Sequence, residues 1–345
     1  MNNNSENINK DYGLSILRSI LSFYVIRSHY LNKNSTQNKI IFYILGKRRS
    51  IHVPSFFIMS FYFNFKSLNS MDIKRNYKRF QRLLIPYIFW PIIIFSINNT
   101  ISKYSHNKFQ YPFKLLIIQL LFGLGIINVL YFQFCLIATT FLFIVIRIVF
   151  KNNYLFILNL IMTIDYLLQY SKSLHNIFAD YRIECHYSLD RELDLIPLAV
   201  TGCNINAFNV IKSLKKYKFQ TIIFSLLAFF LIDNFGVFSN LDQFYHYGGL
   251  KLNILSICLI FIFSLSFSFV NFTNNYIKSI IEYLTNYTAG IYYLHTTIYS
   301  YLKNYILSMK NETINGLLIN YVISYSICHF GMIIFGKSKA RHLFS

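Results

Sequence analysis

The chain is short of acid and short of charge altogether. Thirteen Asp and Glu stand against 33 Lys and Arg, and charged residues fill only 13% of the 345 positions. A soluble domain carries about 25%, so a water-soluble globule is the wrong class. Cysteine is scarce and scattered: Cys135, Cys185, Cys203, Cys258 and Cys328 form no C-x-x-C pair. Most lie in apolar runs, where a free thiol behaves as a small hydrophobe. Cys185 and His186 are adjacent, which makes a poor metal cage without further ligands. Neither a structural disulfide nor a metal centre is expected. There is no nucleophile elbow either, because the serine of "FIMSFYF" has no flanking glycines, and no Ser/His/Asp set is indicated. No internal period of repeat-protein length is present, and no small-residue cleavage site follows the first apolar run.

What the chain has is apolar length. Hydrophobic residues reach 54% and aromatics 19%, gathered into runs such as "IPYIFWPIIIFSI" and "NILSICLIFIFSLSFSFV". Crossing a bilayer takes about 20 apolar residues per helix. The pattern predicts an all-α, polytopic transmembrane helical bundle of about 10 membrane helices, with an eleventh candidate. The spans fall at roughly 13–31, 40–62, 81–100, 114–128, 130–150, 153–170, 193–209, 219–235, 252–273, 280–306 and 315–336. Of these, 40–62 and 114–128 are the weaker pieces and candidates for re-entrant segments. Residues 1–12 read as a polar tail, 13–336 as one membrane domain and 337–345 as a basic tail. The net charge of +20 belongs to loops that orient helices and meet anionic headgroups. No nucleic-acid motif accompanies it. The basic loops favour a cytoplasmic N-terminus in the plasma membrane by a small margin, with Lys47, Arg48 and Arg49 on the unfavoured side.

The first apolar run, "ILRSILSFYVIRSHY", carries Arg18, Arg27 and His29. Charge within lipid costs several kcal/mol, roughly, and usually faces a polar lining. Arg18 and His29 are eleven residues apart, which overshoots three helical turns by about 20°. Both therefore share one face, about 16 Å apart along the axis, with Ser22 and Val25 between them. Arg27 points to the opposite side. The shared face holds a fixed cation that grips phosphate or carboxylate and an imidazole that titrates near neutral pH.

A second basic set, Arg75, Lys78, Arg79 and Arg82, recurs at i, i+3, i+4 and i+7. On a helix it forms one stripe, suited to the phosphates of a nucleotide-bearing donor and equally to an ordinary basic loop. His295 lies in "IYYLHTT" with Tyr292 one turn earlier. Both read as packed polar residues or as lining of a polar tunnel. Residues 171–195 form the longest polar stretch and hold Asp180, Glu184, Asp190, Glu192 and Asp194. Such a loop is a candidate for acceptor contact.

The arginine and histidine spaced as above in a first helix resemble the integral-membrane acyltransferase-3 family, whose members O-acylate glycans. Five more segments are similar to that family, in its order: "HVPSFFIMSFYF" (52–63), "KRFQRLLIPYIFW" (78–90), "LYFQFCLIATTF" (130–141), "DLIPLAVTGCNI" (194–205) and "AGIYYLHTTIY" (289–299). Together they run from about residue 12 to about 336. Two departures stand out. The family's Ser-Gly pair is Ser60-Phe61 here, and its tryptophan is replaced by Tyr131 and Phe132, followed by Gln133.

The resemblance implies an acyl-CoA donor, usually acetyl-CoA, used as a substrate, and a glycan or lipid-linked glycan acceptor. It implies that Arg18 and His29 form the catalytic pair, that Arg79 and Arg82 contact the donor with Arg75 and Lys78 beside them, and that Ser60, His295 and Tyr292 line the tunnel. His29 then serves either as the base for the acceptor hydroxyl or as a nucleophile that carries the acyl group. Two other functions fit the same composition: a polysaccharide exporter or flippase without acyl transfer, and a non-catalytic family member suggested by Phe61 and the missing tryptophan.

Overall fold

The computed structural model describes residues 11–30, 51–105, 112–123, 130–170, 189–234, 249–269, 275–301 and 314–336. Among the described residues the fold is all-helical, without strands. The helices in chain order are α1 (Tyr12–Tyr30), α2 (His52–Asn69), α3 (Ile73–Ser105), α4 (Phe113–Phe122), α5 (Tyr131–Phe150), α6 (Tyr154–Tyr170) and α7 (Leu189–Ala207). They continue with α8 (Val210–Leu214), α9 (Lys218–Asn234), α10 (Leu250–Ser266), α11 (Asn275–Asn286), α12 (Thr288–Tyr301) and α13 (Ile314–Phe335).

Local chemistry sets several of these boundaries. Asp11 caps α1: its carboxylate accepts from Leu14 N at 3.1 Å and its carbonyl from Ser15 N at 3.1 Å, satisfying amides that the first turn would leave open. Asp72 does the same for α3, accepting from Arg75 N at 2.9 Å. Between α2 and α3 the chain reverses at Met71, whose φ is 52°. Gly123 ends α4 with φ 72° and its N–H donating to Gln119 O at 2.9 Å, a left-handed C-terminal stop.

Among the described residues, three apolar stretches are long enough to cross a membrane: Ile73–Thr100, Tyr131–Leu167 and Gly316–Phe335. The second, 37 residues long, is a hairpin. It folds back at Lys151, where φ is 46°, so that α5 and α6 pack against each other. Shorter apolar helices occupy Phe113–Phe122, Leu195–Ala207 and Leu250–Ser266. Ile88, Leu121, Phe141, Phe224 and Val322 are exposed on the outer faces, as lipid-facing side chains are.

Several expected spans are redrawn. The 40–62 span is helical from His52, and residues 40–50 lie outside the described residues. The 81–100 span starts earlier, at Ile73, and runs through Pro86 and Pro91. Of the 114–128 span, the described part is a ten-residue helix that stops at Gly123, about 15 Å long and by itself too short to cross, and residues 124–128 lie outside the described residues. The 280–306 span is two helices divided at Tyr287. The expected total of ten or eleven spans is therefore not what the described helices alone display. The tails 1–10 and 337–345 lie outside the described residues.

The main core is built from α1, α2, α5, α7 and α12. The tightest pair is α2 with α7. A Cβ placed on Gly202 would come 2.3 Å from Ile58 O and 3.1 Å from Phe61 Cβ, so only glycine permits this approach. The glycine missing beside Ser60 has its counterpart in the facing helix.

Candidate active site

Arg18 sits 6 residues into α1 and faces the junction of α11 and α12. Its Nη2 donates to Thr288 Oγ1 at 3.4 Å. Around it runs a ladder of hydroxyls: Ser19 and Thr285 are in contact at 3.4 Å, Thr285 donates to Ile281 O at 2.7 Å, and Ser22 donates to Ser19 O at 2.7 Å. Arg18 is half-buried and meets no carboxylate among the described residues. The helix is unbroken from Arg18 to His29, so the eleven-residue spacing lies on one continuous α-helical frame. The His29 side chain lies outside the described residues. Arg27 is 2% exposed and lies 5.4 Å from the Tyr24 ring.

The second basic set is divided by the structure. Arg75, Lys78 and Arg82 are exposed, and Arg75 pairs with Asp72 at 3.1 Å. Arg79 turns inward and is 7% exposed. The expected single stripe is thus a surface row with one interior member. The short turn between α2 and α3 brings Ser60 against Arg79. Nη1 donates to Ser60 O at 3.3 Å, while Nη2 donates to Ser60 Oγ at 3.5 Å and to Thr140 Oγ1 at 3.0 Å. The Phe61 ring lies under the guanidinium at 5.0 Å, a cation–π arrangement. The Cys203 thiol is within electrostatic range. Arg79 Nε has no hydrogen-bond partner, and every partner of the other nitrogens is neutral. A buried cation so placed keeps donor capacity that its protein partners do not use.

An aromatic row joins this guanidinium to α12. It passes from Phe61 to Phe57 at 5.4 Å, to Phe132 at 5.6 Å, to Tyr292 at 5.3 Å and to His295 at 5.9 Å between ring centroids. Phe61 and Phe132, both departures from the family pattern, are members of the row. His295 is fully buried. Its Nδ1 lies 2.7 Å from Tyr292 O and 3.2 Å from Ile291 O. Carbonyls only accept, so Nδ1 carries a proton. Asn320 donates to His295 O at 2.9 Å and Ser324 donates to Asn320 Oδ1 at 3.0 Å, fixing α12 against α13.

The structure therefore groups Arg79 with Ser60, Arg18 with the helix that carries Tyr292 and His295, and leaves Arg75, Lys78 and Arg82 on the surface. Sequence reasoning missed Thr140, Thr288 and Asn320. Gln133, noted only as a neighbour of the missing tryptophan, is buried and donates to Leu83 O and reaches Tyr293. Single polar residues inside apolar runs were the only signal for these. Of the acidic stretch, Asp190, Glu192 and Asp194 fall in the first turns of α7, and residues 171–188 lie outside the described residues.

A family model described as an acyltransferase domain, that of the acyltransferase-3 family, matches residues 11–336. No curated protein and no solved structure matches the chain.

Proposed function

The chain belongs to the acyltransferase-3 family, and from that membership we propose that it transfers an acyl group, acetyl in the leading case, from cytoplasmic acyl-CoA to a hydroxyl of a cell-surface or secreted polysaccharide or its lipid-linked precursor. The setting is the plasma membrane, with the N-terminus on the cytoplasmic side. The observation that carries this reading is Arg79: a guanidinium sunk among neutral partners, with a bare Nε, next to a helix face that bears three further cations.

Acyl-CoA matches that distribution. Its phosphates meet the exposed Arg75, Lys78 and Arg82, where charge is solvated and capture is fast. Arg79, one turn from each end of that row, holds the inner part of the donor through charge-assisted hydrogen bonds. The row of rings from Phe61 to Tyr292 gives the thioester arm an apolar wall. Arg18 supplies the second cation, on α1. His29, further along the same helix, works on the acceptor hydroxyl. As a base it takes the hydroxyl proton while the oxygen attacks the thioester carbonyl and the CoA thiolate leaves. As a nucleophile it first takes the acyl group on a ring nitrogen, releases CoA and then hands the group to the hydroxyl.

Purified protein with radiolabelled acetyl-CoA and glycan tests this. Release of CoA and O-acetylated glycan by wild type, absent in His29→Ala, is the expected result. Label retained on protein without acceptor identifies the acyl-histidine route. Full transfer by His29→Ala rejects the mechanism.

A further inference from the structure

Tyr287 stands between α11 and α12. Its carbonyl accepts the first hydrogen bond of α12, from Ile291 N at 2.9 Å. The next residue, Thr288, is the one that Arg18 touches. Thr288 Oγ1 gives its own proton to Thr285 O at 3.0 Å, so it meets the guanidinium as an acceptor. Thr285 is tied to α1 in turn, its hydroxyl lying 3.3 Å from Ser15 O and 3.4 Å from Ser19 Oγ. The backbone of Tyr287 thus sets where α12 begins beside Arg18. Its side chain reaches a different helix, α13.

On α13, His329 Nδ1 lies 2.7 Å from the Tyr283 hydroxyl and 3.2 Å from that of Tyr287. Tyr283 also hydrogen-bonds Tyr287 and Tyr325. A phenol has one proton to give. With Nδ1 as acceptor, Tyr283 donates to the imidazole while its oxygen accepts from Tyr287 and Tyr325, and no phenol proton is left over. The rings meet edge to face, Tyr283 with Tyr287 at 5.0 Å, Tyr287 with Tyr325 at 5.0 Å and Tyr283 with Tyr325 at 5.8 Å, the arrangement that aromatic quadrupoles favour. Residues 321, 325 and 329 recur every four positions, so the row follows one face of α13. Tyr321 stacks on Tyr325 at 6.5 Å, meets Phe23 at 5.5 Å and hydrogen-bonds Ser22, one turn from Arg18 on α1.

The row on α13 therefore reaches the surroundings of Arg18 twice, at the residue before Thr288 and at Ser22. Phenylalanines would pack as well as these tyrosines and would bury no hydroxyl. What the hydroxyls and the imidazole add is direction: a fully satisfied polar network holds its members in one arrangement. We infer that His329 is a positioning residue for acyl transfer. As the acceptor at the end of the Tyr283–Tyr287 chain, it fixes the break between α11 and α12 and so holds Thr288 where Arg18 uses it. The assignment rests on the acyl-transfer reading above. It gives a loosely held guanidinium a fixed partner.

The test measures CoA release from acetyl-CoA by purified full-length wild type, Tyr287→Phe, His329→Leu and His329→Asn, with Tm and amide hydrogen exchange on the same samples. Tyr287→Phe keeps the ring and removes the hydroxyl. His329→Asn keeps an acceptor near the place of Nδ1. The KM for acetyl-CoA should rise by about fivefold in Tyr287→Phe and His329→Leu, the worth of one neutral hydrogen bond, with kcat kept. His329→Asn should return KM to within about twofold of wild type. Adding Thr288→Val to Tyr287→Phe should raise KM no further than the larger single effect, because both act on one contact. Additive effects overturn the inference, and so does a lowered Tm with unchanged KM, which leaves the cluster a packing role. A wild type that releases no CoA fails the acyl-transfer reading itself, and hydrogen exchange then reads the clamp alone. Faster exchange at the Ile291 amide in Tyr287→Phe and His329→Leu, and not in His329→Asn, supports it; equal exchange in all four proteins overturns it.

Discussion

Arg18 and Arg79 are the same residue type, each a few turns or less from the start of its helix, and neither meets a carboxylate among the described residues. They are held in opposite ways. Arg18 is half-buried, with one long hydrogen bond of 3.4 Å to Thr288 among hydroxyls on three helices that bond back to their own backbones. Arg79 is 7% exposed, with three hydrogen bonds and a ring beneath it. A guanidinium clamped on one side with a free edge is pre-organised and loses little entropy when an anion arrives. A guanidinium on a single long contact is free to follow a moving group. On the acyl-transfer proposal, the difference suits Arg79 to holding the donor and Arg18 to following it.

The largest effect is expected at the holding site. Arg79→Met removes the guanidinium while filling most of its volume. Losing two charge-assisted bonds at about 1.5–3 kcal/mol each lowers kcat/KM for acetyl-CoA by roughly a thousandfold. Because no acid loses its partner, Tm in detergent should hold or rise. A lowered Tm with near-normal kinetics would make Arg79 a structural residue. Phe61→Ala comes next. It empties a fully buried site under the guanidinium and costs about 3–5 kcal/mol, read as a fall in Tm together with weaker donor use. Gly202→Ala works on the same wall from the other side. A methyl 2.3 Å from Ile58 O must separate α2 from α7, at about 1–3 kcal/mol, read by thermal unfolding.

Smaller effects are expected at the adjusting site. Arg18→Lys keeps the charge and loses the planar fork, and should raise donor KM by about tenfold, as one charged hydrogen bond would. Thr288→Val removes a contact already at the limit of hydrogen-bond length and should change KM by less than about fivefold. If Thr288→Val matched Arg79→Met in effect, the distinction between a clamped and a loose cation would fall.

How much of this was legible beforehand differs between the same two regions. The face of α1 followed from helical periodicity alone, because position along one helix needs no knowledge of neighbours. The second basic set did not separate so easily. Residues 75, 78, 79 and 82 lie within one broad sector, and periodicity cannot say which edge of that sector turns inward. What turns Arg79 in is the reversal at Met71, which sets α2 alongside α3 and presents Ser60 O and Oγ. Thr140 completes the clamp from a helix 61 residues away in sequence. Likewise Phe61 reads from sequence as a loss of close approach, whereas the structure moves that approach to Gly202 and uses the ring as a floor. The overall helical class was plain from composition. The breaks at Gly123 and Tyr287 were hidden because apolar character continues across or up to them, whereas the turn at Lys151 falls in the gap between the expected spans 130–150 and 153–170.

One measurement goes to the centre of the proposal: CoA release from acetyl-CoA by purified wild type and Arg79→Met, with Tm recorded on the same samples. Release by wild type, lost in Arg79→Met at equal or higher Tm, is the predicted result and assigns Arg79 to the donor. Equal release by both proteins would contradict it.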